Sequence, residues 1–185
     1  HAEEIPHLLH VCGRSYSNTI RSVRSTTETV SQEAMTINIA RTFEGSPIWT
    51  FDAVGGRNEN MVVYLDNLYQ VRARGLDHDG RPTTLEHVIS GEVESAVRVG
   101  IGAAPDRYGV AFVANAPGGV NGLYFVALNP DASPASDPVR LTPHGVGIQY
   151  EQQMPEVRWD GESWIVIWAD WRGGIQFARG RFDCP

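Results

Sequence analysis

Two groups of residues in this 185-residue chain have types and spacings that chemistry asks for. The first is His7-Leu-Leu-His10, an H-x-x-H pair to which His1 adds a third imidazole and a free amine. Imidazoles suit copper or zinc, and this cluster could hold either if the segment were helical or folded back on itself. Against that, the glutamate of an H-E-x-x-H motif is missing, Pro6 opposes a helix through the pair, and Leu8, Leu9 and Val11 look like a strand with apolar side chains to bury. The second group is the carboxylates Asp52, Asp66, Asp106, Glu156, Asp160 and Asp170. A glycoside hydrolase needs two of these facing one sugar, one with a raised and one with an ordinary pKa. Asp66 and Asp170 stand at similar strand ends, where a turn residue recurring in each unit of a repeat would stand. His78, His87 and His144 lie near no Gly-x-Ser-x-Gly elbow or Cys/His arrangement. Asp77-His-Asp79-Gly80 lacks the later ligands and terminal glutamate of an EF-hand loop. No cofactor is expected.

The elements that must position these residues are strands. Pro155 to Asp183 reads as three short strands joined by tight turns, and two earlier stretches repeat its plan at a spacing of about fifty residues, the mark of blades, solenoids or arrays. Trp164 to Trp168, with Ile175 to Asp183 after a Gly-rich turn, is answered by Met61 to Leu65 with Tyr69 to Asp77. It is answered again by Tyr108 to Phe112 with Leu123 to Asp131. Thr84 to Ile89 and Pro138 to Thr142 add a fourth short run in two copies, so the unit is four antiparallel strands. From Trp164 to Trp171 both alternating sets of side chains are apolar, which predicts a strand buried on both faces. The turns at Asp160-Gly161, Asp79-Gly80 and Gly118-Gly119 supply the positive φ that tight hairpins use.

The run Pro155-x-Val-x-Trp-Asp-Gly-x-x-Trp-x-Val-x-Trp-x-Asp-x-Arg172 resembles the repeat of bacterial exported β-propeller proteins, whose blades end on a Leu-Asp-x-Asp-Gly turn matched here by Leu76 to Gly80. The resemblance covers roughly residues 45 to 183 and implies an all-β architecture of antiparallel four-stranded, propeller-like blades. Three blades, at about 45–90, 91–143 and 144–185, fall short of the about four to eight that close a ring. Residues 1–44 are expected to form an N-terminal segment with edge-covering strands in the same single domain. The ring is otherwise left incomplete, or a partner chain or a second copy completes it.

The same resemblance implies functions. Sugar-binding propellers place aromatic rings at blade margins, which makes Asp170, Trp171 and Arg172 the candidate ligand-binding residues: an indole to stack on a pyranose, flanked by groups that bind hydroxyls. Trp164 and Trp168 are expected in the core. The first expectation is a secreted or periplasmic non-enzymatic binding or scaffold module that recognises glycan or protein surfaces. The alternatives are a glycan-active hydrolase of propeller fold and an exported copper- or zinc-binding protein using His1, His7 and His10. Cys12 and Cys184, near opposite ends of the chain, would in an exported protein form a disulfide tying the N-terminal segment to the last blade.

Composition narrows the partners. Fifteen basic against 22 acidic side chains leave a net charge of −7 with no basic stripe, which argues against nucleic acid and anionic membranes. No apolar run approaches the roughly 20 residues of a spanning helix, so no membrane insertion is expected.

Overall fold

The structure, a computed structural model, describes residues 8–12, 19–25, 36–41, 50–56, 59–66, 68–93, 95–115, 121–143, 154–169 and 174–181. These residues form fourteen strands in four antiparallel sheets. An N-terminal sheet holds β1 (Leu8–Cys12), β2 (Thr19–Ser25) and β3 (Thr36–Arg41). The next holds β4 (Phe51–Gly55), β5 (Asn60–Leu65), β6 (Val71–Leu76) and the two-residue β7 (His87–Val88). A middle sheet contains β8 (Ala96–Ala103), β9 (Tyr108–Asn115), β10 (Asn121–Leu128) and β11 (Val139–Arg140). The last contains β12 (Glu156–Trp159), β13 (Trp164–Ala169) and β14 (Ile175–Gly180).

Each sheet is a simple meander, its strands paired in chain order, and the first strands lie side by side: β1 by β4, β4 by β8, β8 by β12. The chain is thus an all-β protein of antiparallel, blade-like repeats, first strands innermost and sheets stacked face to face.

Side-chain alternation explains the stacking. On β9 and β10 nearly every residue is buried, and period two divides them between two cores. Val110, Phe112, Tyr124, Val126 and Leu128 join Met61, Val63, Leu65, Val71 and Ala73 of the preceding blade. Ala111, Val113, Leu123, Phe125 and Ala127 join Val157, Trp164 and Val166 of the following blade. Burying each large apolar side chain is worth about 1.5–3 kcal/mol, so the middle blade is held by both neighbours.

Innermost packing depends on missing side chains. A Cβ on Gly102 would sit 2.5 Å from the Val157 carbonyl oxygen, and one on Gly100 would run into the Pro155 carbonyl. Glycine at these two places lets the β12 backbone lie directly on β8, while Val99 and Ile101, alternating with them, belong to the first core.

Turns at the blade ends repeat as well. Gly80 N donates to Asp77 O and Ala132 N to Asn129 O, with φ of 78° and 69°, and Pro82 and Pro134 then bridge back to Leu76 and Leu128. The Leu-Asp-x-Asp-Gly ending therefore recurs as Leu128-Asn-Pro-Asp-Ala132, the Ala adopting a backbone that favours glycine.

Two expectations need correction. The strand expected from Tyr69 begins at Val71, because Asp66 Oδ1 accepts hydrogen bonds from Leu68 N and Gln70 N and draws residues 66–70 into a turn, with Tyr69 at φ 59°. The strand beginning at Trp164 is not buried on both faces. Trp164 and Val166 are buried against the middle blade, whereas Ile165 and Ile167 on the opposite face are only half-covered.

Candidate functional site

That half-covered face is the most distinctive surface among the described residues. Strand pairing places Arg158, Ile165 and Arg179 in one row across the last blade, Glu156, Ile167 and Phe177 in the next, and Ala169 beside Ile175 in a third. Ile175 is 80% and Phe177 72% exposed, values that belong to a sheet face with no described residue packed over it. Its centre is aliphatic and aromatic; its margin is charged. Arg158 contacts Glu156 Oε1 at 2.5 Å, Arg179 contacts Asp160 Oδ2 at 2.7 Å, and Arg181 pairs with Glu162. An apolar centre within a charged rim is the anatomy of a protein–protein contact.

The tryptophans described lie on the other side. Trp164, 3% exposed, meets Trp159 edge-on at 5.1 Å and Phe125 at 5.7 Å, and Trp159 and Trp168 pack on the same core. They fill the seam between blades, and among the described residues no indole lies on the open face. Asp170, Trp171 and Arg172 lie outside the described residues. In the aligned repeat, the residue answering to Asp170 is Asp66, 4% exposed and fixed by two backbone amides and by Arg72 Nε at 2.6 Å.

The other carboxylates considered for hydrolysis that fall among the described residues have structural duties. Asp52, on innermost β4, accepts from Ala53 N at 2.8 Å and from Ile101 N of β8 at 3.0 Å, linking two blades. Burial pushes its pKa up, opposed by those two amides and by Arg158. Asp160 closes the β12–β13 hairpin through Ser163 N and Glu162 N, and the Ser163 amide first, then Arg179, hold its carboxyl below the usual range. Asp106 is exposed in the β8–β9 turn, and Glu156 pairs with Arg158. Glu86 accepts from Tyr64 Oη and pairs with Arg72, so that burial, then Glu86, drive the Tyr64 pKa far above its ordinary value.

A cleft of about 290 Å³ opens at the β8–β9 turn, where Glu59, Asp106, Arg107 and Tyr108 line it and Tyr108 Oη donates to Glu59 O at 2.8 Å. Of the candidate metal ligands, His10 lies on β1, while His1 and His7 fall outside the described residues. Cys12 ends β1; Cys184 is outside, as is the proposed bridge. Among the described residues no three His, Cys, Asp or Glu side chains are grouped to hold a metal ion, and no helix is long and apolar enough to cross a membrane.

Sequence reasoning missed the open face because it saw only one strand of it. Ile175 and Phe177 alternate with Gln176 and Ala178, and joined to Ile165 and Ile167 across the ladder they make a patch that one-dimensional periodicity does not display.

No protein-family model matches this chain, and no curated protein matches it in sequence. Among solved structures it is similar to an α-L-arabinanase of Cellvibrio cellulosa determined in complex with arabinohexaose, with a TM-score of 0.44 and 12% identity over 93% of this chain and 73% of that one. Nothing about this chain's site follows from that likeness.

Proposed function

We propose that the chain is a non-enzymatic binding or scaffold module of propeller-like architecture, acting outside the cytoplasm, whose working surface is the open face of its last blade. The observation that carries this is the exposure of Ile175 and Phe177 beside Ile165 and Ile167 within a rim of both charge signs. Such a face is too flat and too aliphatic to favour a sugar, which needs ring faces and convergent hydroxyl partners. It suits a protein partner that offers another apolar sheet surface. The acidic side chains support the same conclusion, since Asp52, Asp66 and Asp160 are engaged with backbone amides and Glu156 with an arginine.

Purified protein should release no reducing sugar from a panel of neutral and acidic polysaccharides. Wild-type protein should retain a protein partner from extracellular or periplasmic extract that Phe177→Asp and Ile175→Asp variants lose. Polysaccharide cleavage that survives Phe177→Asp and disappears in Asp52→Asn would refute the proposal and establish the hydrolase reading instead.

A further inference from the structure

A second cleft lies on the sheet of β4–β7, where the β5–β6 turn faces the segment leading into β8. Leu68 and Gln70 of the turn form one wall, and Gly91, Glu92, Val93 and Ser95 form the other. Its volume of about 560 Å³ falls in the range of roughly 300–1,000 Å³ that small-molecule sites occupy. Main-chain hydrogen bonds fix both walls: Ala96 N donates to Tyr69 O at 2.9 Å, Ile89 N to Val71 O at 2.8 Å and Val93 N to Ser90 O at 3.0 Å. The backbone here is also strained. Tyr69 and Ser95 hold φ of 59° and 56°, two of the three non-glycine residues at positive φ among the described residues, and Gly91 stands at 57°. Residues with side chains keep such conformations where the surroundings over-determine them, and they cluster at sites that clamp ligands.

We infer that this cleft binds a neutral saccharide. Three polar side chains line it, the Gln70 amide, the Ser95 hydroxyl and the Glu92 carboxylate, and none of them makes a hydrogen bond or ion pair with another described residue. The amide and the hydroxyl each donate and accept, and the carboxylate accepts, which complements a ligand whose hydroxyl groups do both. Leu68 and Val93 give apolar surface for the C–H face of a sugar ring. Tyr69, 43% exposed between Leu68 and Gln70 in the turn, adds an aromatic ring at the margin. Other ligand classes fit less well. No Lys, Arg or His lines the cleft, so a phosphate, sulfate or carboxylate would find no charge-assisted donor there and would meet the like charge of Glu92. One carboxylate is too few for a divalent cation, which takes six or more oxygen ligands. The cleft shares no residue with the open face of the last blade, so this is a second binding function, and either can fail without the other.

The test is calorimetric titration of the full chain with neutral hexasaccharides of glucose, xylose and mannose, beside an acidic hexasaccharide of galacturonate. At least one neutral probe should bind tighter than about 1 mM. Gln70→Ala and Ser95→Gly should each weaken that binding by about three- to tenfold, as loss of one hydrogen bond of ordinary net strength does. Ser95→Gly separates binding from folding, because glycine adopts φ of 56° without strain: its melting temperature should equal or exceed that of wild type while its affinity falls. Leu85→Ala, a change at another exposed position before β7, should bind as wild type does. No neutral probe binding tighter than about 1 mM, tighter binding of the galacturonate than of every neutral probe, or wild-type affinity in both Gln70→Ala and Ser95→Gly would each overturn the inference. If Ser95→Gly melts below wild type, Gln70→Ala alone decides, since its side chain has no described partner to lose.

Discussion

Gly102→Ala is the smallest change that tests how the blades are stacked. The new methyl would lie 2.5 Å from the Val157 carbonyl oxygen, 2.8 Å from its carbon and 3.1 Å from Cγ1, and the nearest of these atoms belong to a backbone that cannot rotate away. Gly102 has no positive φ, so its substitution carries no conformational penalty and the cost is steric. Relief requires β12 to retreat by about 1 Å. A gap of that size forfeits roughly a quarter to a half of the dispersion energy of the atoms facing it. The atoms concerned are those of Val157, Trp164 and Val166 against Val113, Phe125 and Ala127. Overpacking alone costs about 1–3 kcal/mol, and with the loosened seam a loss of about 2–4 kcal/mol is expected.

In a chain of this length each kcal/mol moves the melting temperature by about 2–4 °C, so the variant should melt roughly 5–15 °C lower. Tryptophan emission reads the seam directly, because Trp159, Trp164 and Trp168 pack there, and it should shift to the red as β12 lifts. Gly161→Ala is the control. Nothing lies within 4 Å of the added methyl, but φ is +99°, so the cost there is conformational and an asparagine should be tolerated better than alanine. A Gly102→Ala protein with wild-type emission and a melting temperature within about 2 °C would show that β12 does not rest on the β8 backbone.

Tyr69, at φ 59°, should gain about 1 kcal/mol on conversion to Gly, and a urea midpoint equal to or below wild type contradicts the turn geometry. Native, unreduced protein should be two hydrogens lighter than its reduced form, with reduction lowering stability by a few kcal/mol and about 4–5 as the chain-entropy ceiling; two freely alkylated thiols at Cys12 and Cys184 disprove the bridge. Because burial holds the folded pKa of Asp52 above its ordinary value of 3.8, folding favours the protonated carboxyl. Its contribution is full at low pH and is lost as pH rises through the folded value. Urea titrations of wild type and Asp52→Asn should therefore differ in slope above pH 3.8, wild type losing more stability with rising pH; the opposite slope refutes the assignment.

The repeat was legible because its signals are local. Alternation in Met61–Leu65, Tyr108–Phe112 and Trp164–Trp168, with turn residues at fixed offsets, specifies strands and hairpins without knowledge of neighbours. What was not legible depended on contacts between sheets. Gly100 and Gly102 interrupt an otherwise ordinary strand pattern, and their purpose appears only when β12 lies across them. Burial of β13 was overestimated because an apolar pattern states what a strand can bury, and only the arrangement of neighbours states what it does bury.

The distribution of acid through the fold bears on where activity can reside. A net charge of −7 invites a search for a catalytic or metal-binding carboxylate cluster, yet the described aspartates repeatedly accept hydrogen bonds from backbone amides: Asp66 from Leu68 and Gln70, Asp77 from Asp79 and Arg81, Asp131 from Ser133, Asp160 from Glu162 and Ser163. Each satisfies amides that a tight turn leaves without ladder partners, which is why aspartate recurs at turns of a meander. Asp52 does the same between blades, using Ile101 N. Acid so employed is part of the chain's own folding. Among the described residues Ile165, Ile167, Ile175 and Phe177 gather on one sheet face, and burial of that face requires another apolar surface rather than a polar ligand.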